Sequence, residues 1–128
     1  MSDAELIQAA REAKENAYAP YSGFAVGVAL LADDGRVFTG VNVENASIGL
    51  SVCAERNAIA KAVSEGVRSF SKLAVATDSP EPTMPCGVCR QVIWEFGHDI
   101  DILVVGSGDQ VVRTTIAKLF PQPFTTFQ

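Results

Sequence analysis

Cys53 opens one helix-forming segment of this chain, and Cys86 with Cys89 opens another; no other feature restricts the possible folds as much. The segments read Val52-Cys53-Ala54-Glu55-Arg56 and Pro85-Cys86-Gly87-Val88-Cys89-Arg90, and each follows a loop. A helix N-terminus presents unpaired N–H groups and the positive end of the helix dipole. Both favour thiolate over thiol, and thiolate is the metal-binding form. Cys86 and Cys89, three residues apart, share one helical face. An odd number of cysteines argues against a disulfide framework. Free thiols, metal ligands, or a redox pair with one spare thiol all fit the pattern at this level.

Bulk properties narrow the classes. A chain of 128 residues with 48% hydrophobic residues can bury one core without disulfide staples. The net charge is -5 and Lys and Arg form no cluster. Polynucleotide binding rests on cationic contacts to phosphate, so a small neutral ligand is expected and a polynucleotide is not. No apolar run reaches the ~20 residues of a membrane span. The polar, acidic start Met1-Ser2-Asp3-Ala4-Glu5 does not read as a signal peptide, so a cytoplasmic protein is expected.

Periodicity supplies the elements. Leu6, Ile7, Ala10, Ala13 and Ala17 fall at helical spacing over residues 3–17, with Asp3 as N-cap and Pro20 beyond the end. Residues 24–31 read as a buried strand, Asp33-Asp34-Gly35 as a hairpin turn, and Val37 to Val43 as the returning strand. Residues 52–65 form an alanine-rich helix closed by Gly66. Leu73 to Thr77 is a short strand, and Asp78 to Pro85, with prolines at 80, 82 and 85, is a loop. A helix over 86–96 stops at Gly97. Ile102 to Val105 and Gln110 to Thr114 form two strands joined at Gly106 to Asp109. A last helical turn near Ile116 to Phe120 leads into a Pro-rich tail through Phe124 to Phe127. This order predicts an α/β sandwich with helices on both faces of a mixed sheet.

If the two cysteine-bearing helices lie side by side, three sulfurs converge on one point. Sulfur ligands suit zinc better than magnesium or calcium, and three thiolates leave one tetrahedral position open. Zinc in such a site lowers the pKa of water towards ~7. Arg56 is placed to hydrogen-bond the sulfurs and offset their charge. Glu55, two residues past Cys53, can reach in beside the metal without ligating it and act as general acid and base. Two other chemistries use the same residues: a Cys86/Cys89 thiol-exchange pair, and a closed structural zinc site with His98 as fourth ligand.

Several further segments carry a family resemblance over nearly the whole chain. Tyr18-Ala19-Pro20-Tyr21-Ser22-Gly23-Phe24 with Val26-Gly27, Gly40-Val41-Asn42-Val43-Glu44-Asn45-Ala46-Ser47, both cysteine motifs, and Leu119-Phe120-Pro121 with Phe124 resemble the small zinc-dependent cytidine deaminases. The resemblance implies one domain over 1–128, a three-layer α/β/α sandwich around a five-stranded mixed sheet, and one Zn2+ per chain. It implies hydrolytic deamination of cytidine and 2'-deoxycytidine in pyrimidine salvage, with Cys53, Cys86 and Cys89 as zinc ligands and Glu55 as proton shuttle. It places Asn42 and Glu44 on the ribose 3′-hydroxyl, Phe24 against the pyrimidine face, and Ala54 backbone groups at the base edge. It further implies a homotetramer in which Phe124 reaches a neighbouring subunit's site. A deaminase of a modified cytosine nucleoside shares the zinc motifs, but Asn42 to Ala46 resembles the nucleoside branch. The short turn at Gly106 to Asp109 resembles that branch too, because it makes the last two strands an antiparallel hairpin. The chain departs from the family pattern at Ile48, where members usually carry a tyrosine near the sugar and a subunit boundary.

Overall fold

The computed structural model describes residues 1–125, so Thr126 and Phe127 of the Pro-rich tail lie outside the described residues. Helix α1 spans Asp3–Lys14. Its N-cap is Ser2, not Asp3: the Ser2 hydroxyl accepts from the Glu5 N–H at 3.1 Å while the Glu5 carboxylate accepts from the Ser2 N–H at 2.9 Å. This reciprocal pair satisfies two donors at once, and such a cap is worth about 1 kcal/mol. Asp3 is drawn instead to Lys72, whose Nζ donates at 2.7 Å. The helix stops at Lys14 rather than Ala17 because Tyr18 pairs with the chain at Val43, its N–H donating to the Asn42 carbonyl at 3.0 Å.

Strands β1 (Val26–Ala32), β2 (Val37–Val41), β3 (Phe70–Thr77), β4 (Asp101–Val105) and β5 (Val111–Thr115) form one sheet in the order β2-β1-β3-β4-β5. The β3–β4 pair is parallel and the others are antiparallel, which makes the sheet mixed. Helices α2 (Ala54–Ser64), α3 (Gly87–Glu95) and the short α4 (Ile116–Leu119) complete the order α-β-β-α-β-α-β-β-α read from the periodicity. A 3-10 turn at Ile48–Leu50 had no periodic signal.

Alternation along the central strands divides the core into two layers. Val28, Leu30, Leu73, Val75, Ile102 and Val104 point to one face and pack with Ala58, Ile59 and Ala62 of α2, Ile93 of α3 and Ile116 of α4. Ala29, Ala74, Ala76, Leu103 and Val105 point to the other face and meet Leu6 and Ala10 of α1. The three layers are thus α1, the sheet, and the α2–α3–α4 layer.

Two glycines set how closely the helices approach. A Cβ on Gly27 would lie 2.2 Å from the Ala10 carbonyl oxygen, so α1 rests directly on β1. A Cβ on Gly40 would lie 2.5 Å from the Ala54 carbonyl oxygen and 2.5 Å from the Ala58 amide nitrogen. The first turn of α2 therefore sits on the bare backbone of β2, and that turn carries the site.

Candidate active site and metal centre

Cys53 is the N-cap of α2 and Cys86 the N-cap of α3, with Cys89 in the first turn of α3. The Cys53 and Cys86 sulfurs are 3.9 Å apart and those of Cys86 and Cys89 3.3 Å apart. All three sulfurs lie within 4.8 Å of one another, and among the described residues no other group of His, Cys, Asp and Glu ligands gathers in this way. Tetrahedral zinc with ~2.3 Å Zn–S bonds separates its sulfurs by about 3.8 Å, so the donor set fits that ion. His98 lies beyond the far end of α3, exposed and stacked on Trp94 at 4.1 Å between ring centroids. Among the described residues the cluster thus gathers three protein ligands and not the fourth that a closed structural site needs.

The helix starts tune the sulfurs. Burial is the largest single influence on Cys86 and works against its thiolate, but the Cys89 N–H, 3.4 Å from the sulfur, and the Cys89 and Cys53 sulfurs together outweigh it and bring the thiol below its ordinary value. Cys89 is buried, and burial, joined by the neighbouring Glu55 charge, pushes its thiol up in the absence of metal. A cation at the centre reverses both penalties. Arg56 points its Nη2 at the Ser51 carbonyl (3.2 Å) and the Cys53 sulfur (3.9 Å), and the sulfur holds the guanidinium in its charged form. Its Nε is buried without a hydrogen-bond partner among the described residues.

Glu55 is 5% exposed, the one buried carboxylate among the described residues. Burial raises its pKa, against weaker opposition from hydrogen bonds and the Arg56 charge. A buried carboxyl with a raised pKa beside three metal-ligand thiols is suited to proton transfer.

Glu55, Cys53 and Cys86 form one wall of a cavity of about 280 Å³. Phe24, Asn42, Glu44 and Ala54, expected from the sequence, line it as well. Asn42 and Glu44 lie just past the end of β2, in an extended segment where Val43 bridges to Val52. The Glu44 carboxylate accepts from the backbone N–H groups of Tyr21 and Ser22, both at 3.0 Å, and from the Ser22 hydroxyl. The Ser22 contacts, foremost its hydroxyl, hold Glu44 below the usual carboxylate range. Asn42 accepts from the Val26 N–H at 2.9 Å and donates to the Phe24 carbonyl at 2.8 Å. That side chain occupies the strand bonds of Phe24 and Val26, so β1 begins at Val26 rather than at 24.

Phe124 stands apart from these residues and does not line its own chain's cavity. Its backbone N–H and carbonyl are both held by the Gln91 side chain, at 3.1 and 2.9 Å. Sequence reasoning missed Ser22, Thr77, Thr83 and Met84, which also line the cavity. Their signal was present only as proximity: Ser22 lies in the Tyr21 to Gly23 turn, and Thr83 and Met84 immediately precede Pro85-Cys86.

Comparison with known proteins agrees with this geometry. The family described as "Cytidine and deoxycytidylate deaminase zinc-binding region" matches residues 1–107. The cytidine deaminase of Sporosarcina psychrophila is 48% identical over 122 residues, covering 94% of this chain and 90% of that protein. The cytidine deaminase of Mycobacterium tuberculosis is 50% identical over 116 residues, covering 90% and 84%. The crystal structure of cytidine deaminase from Burkholderia pseudomallei superposes with a TM-score of 0.94 at 45% identity, covering 97% of this chain and all of that one. With three convergent thiols for zinc, a buried carboxylate beside them and a match over most of its length, the chain belongs to the zinc-dependent cytidine and deoxycytidylate deaminase family.

Proposed function

We propose that this protein hydrolyses the C4 amino group of cytidine and 2'-deoxycytidine, giving the uracil nucleoside and ammonia. The observation that carries this reading is the buried Glu55 carboxyl beside three metal-ligand thiols, at the wall of a cavity with Asn42 and Glu44. Cys53, Cys86 and Cys89 hold the zinc, which supplies a Lewis acid able to make water nucleophilic at neutral pH. The Glu55 carboxylate takes a proton from the attacking water and delivers it to ring N3 as the C4 centre becomes tetrahedral. It then takes the second proton, from the C4 hydroxyl, and passes it to the amine, so that the C4–N bond breaks as the C4 carbonyl forms and ammonia leaves. Arg56 offsets the negative charge of the thiolates.

Sugar recognition follows from unused hydrogen-bonding capacity. A carboxylate offers about four acceptor positions, and this chain fills three on Glu44. Asn42 keeps one N–H after donating to Phe24. Glu44 then accepts the proton of a ribose hydroxyl while Asn42 donates to its oxygen, so one hydroxyl satisfies both. Phe24 packs on the pyrimidine face and the Ala54 backbone meets the base edge.

The same reading makes the protein a cytoplasmic homotetramer with shared sites. No helix among the described residues is long and apolar enough to cross a membrane. The exposed Ile48, Leu50, Val88 and Phe124 side chains suit contact between copies. The antiparallel β4–β5 hairpin agrees with the free-nucleoside branch. An ultraviolet assay of zinc-loaded protein on cytidine, deoxycytidine and free cytosine tests the proposal. Turnover of the nucleosides well ahead of free cytosine is expected, and no turnover of either nucleoside refutes it. Light scattering on the same sample checks for four chains per particle.

A further inference from the structure

Arg90 follows the last zinc ligand and makes no ion pair among the described residues. Its guanidinium is spent on two backbone carbonyls. Nε donates to the Pro85 oxygen at 2.9 Å, and Nη1 donates to the Leu119 oxygen, also at 2.9 Å. Pro85 is the peptide that joins two parts of the site. On one side stand Thr83 and Met84, which line the cavity; on the other stands Cys86, the N-cap of α3. Leu119 ends α4, whose Ile116 is fully buried in the core against the sheet. Proline has no N–H, so the peptide nitrogen of Pro85 cannot anchor this junction through a hydrogen bond.

We propose that Arg90 is a positioning residue for the deamination: it ties the peptide between the cavity wall and the zinc ligand Cys86 to the end of α4, which Ile116 anchors in the core. The inference rests on the proposed deaminase reading for its catalytic readout, though not for its metal readout. A fork with two donors in one plane can hold both carbonyls at once, whereas a lysine ammonium on a flexible stem cannot reproduce that geometry. Loss of the fork leaves the 83–86 segment free to move relative to Glu55 on α2. Both substrate seating and retention of the metal by Cys86 then weaken.

The test uses the zinc-loaded enzyme and the variants Arg90→Gln and Arg90→Lys. Two quantities are read: the rate of zinc release to a chromophoric chelator, and KM and kcat for cytidine. A hydrogen bond from a charged donor corresponds to a factor of about 10 to 100. We expect zinc release about 10-fold faster in Arg90→Gln, and KM raised about 10-fold with a smaller fall in kcat. Arg90→Lys is expected to lie between that variant and the wild type, because one carbonyl is still held. A merely structural arginine would lower Tm and leave release and KM unchanged in the folded protein. Either readout within twofold of the wild type in a folded variant therefore overturns the assignment. Should Arg90→Gln fail to fold, Arg90→Lys decides on the same two readouts. If the wild type itself does not deaminate cytidine, the deaminase reading fails, and zinc release alone then judges the role of Arg90.

Discussion

Replacing Gly40 by alanine should disable the site from the opposite side of the helix that carries it. The added Cβ would stand 2.5 Å from both the Ala54 carbonyl oxygen and the Ala58 amide nitrogen, and 2.9 Å from the Ala58 Cβ. The first two are backbone atoms of α2, so no side-chain rotation relieves the clash. Ordinary van der Waals separation returns only if the first turn of α2 retreats by about 1 Å. Cys53 and Glu55 retreat with it, while Cys86 and Cys89 stay on α3. Metal–ligand distances tolerate about 0.2 Å, and a misplacement of 1 Å at a reacting group costs about 100-fold in rate. Overpacking of this kind destabilises by about 1–3 kcal/mol, or roughly 4–12 °C in Tm for a chain of this size. Thermal unfolding of zinc-loaded protein, zinc content after dialysis and kcat/KM for cytidine measure the three effects. Gly108→Ala is the control: nothing lies within 4 Å of its built Cβ and its φ is not in the left-handed region. The reasoning fails if Gly40→Ala keeps its zinc and stays within threefold of wild-type kcat/KM, for the close approach to β2 at Gly40 would then not be what sets the position of the first turn of α2.

Other perturbations address single groups. Glu55→Gln should retain zinc and lose several orders of magnitude in kcat, since the amide cannot relay a proton; turnover near wild type would remove Glu55 from the mechanism. Cys86→Ala should lose the metal and the cross-link between α2 and α3 together, so zinc analysis and Tm must fall in parallel, and a variant that keeps one zinc per chain contradicts the ligand assignment. Ser22→Ala removes the foremost cause of the lowered Glu44 pKa. Its carboxylate then protonates at higher pH, and the acid limb of kcat/KM should move upward in pH; an unmoved limb separates Glu44 from substrate binding. His98→Ala should leave zinc affinity unchanged, and tenfold weaker binding would restore the four-ligand reading.

The site was legible where chemistry and local structure coincide. Cys53 and Cys86 are read as helix starts, and the i, i+3 spacing of Cys89 follows from the helix alone. The elements were legible where the apolar pattern was clean, as in the continuous run of β4 and the α1 stripe. The failures share one cause, a long-range partner that local pattern does not encode. Ser2 and Asp3 are both good capping residues, and the choice is made by Lys72, which holds Asp3 from β3. The apolar run at 24–31 conceals that the Asn42 amide takes the bonds of Phe24 and Val26. Arg90 and Gln91 read only as part of a motif, yet their side chains fasten Pro85, Leu119 and Phe124 across the fold.

Strand order was the largest gap, and it is what makes the metal centre possible. β1 pairs antiparallel with both β2 and β3, so β2 and β3 run parallel to each other, and β3 runs parallel to β4. The chain therefore makes two crossovers in the same direction across the sheet, β2–α2–β3 and β3–α3–β4. Crossovers between parallel strands share one hand. Two of them progressing in one direction must place both helices on the same face, with both N-termini at the same end of the sheet. The packing agrees: α2 and α3 both cover the Val28, Leu30, Leu73 and Val75 face. Thr77 at the end of β3 and Val26 at the start of β1 are register partners, and both line the cavity at that end. A single crossover would bring one helix dipole and at most the Cys86 and Cys89 pair. The second brings Cys53 and Glu55, so the third sulfur and the proton-carrying carboxylate arrive together, as a consequence of topology.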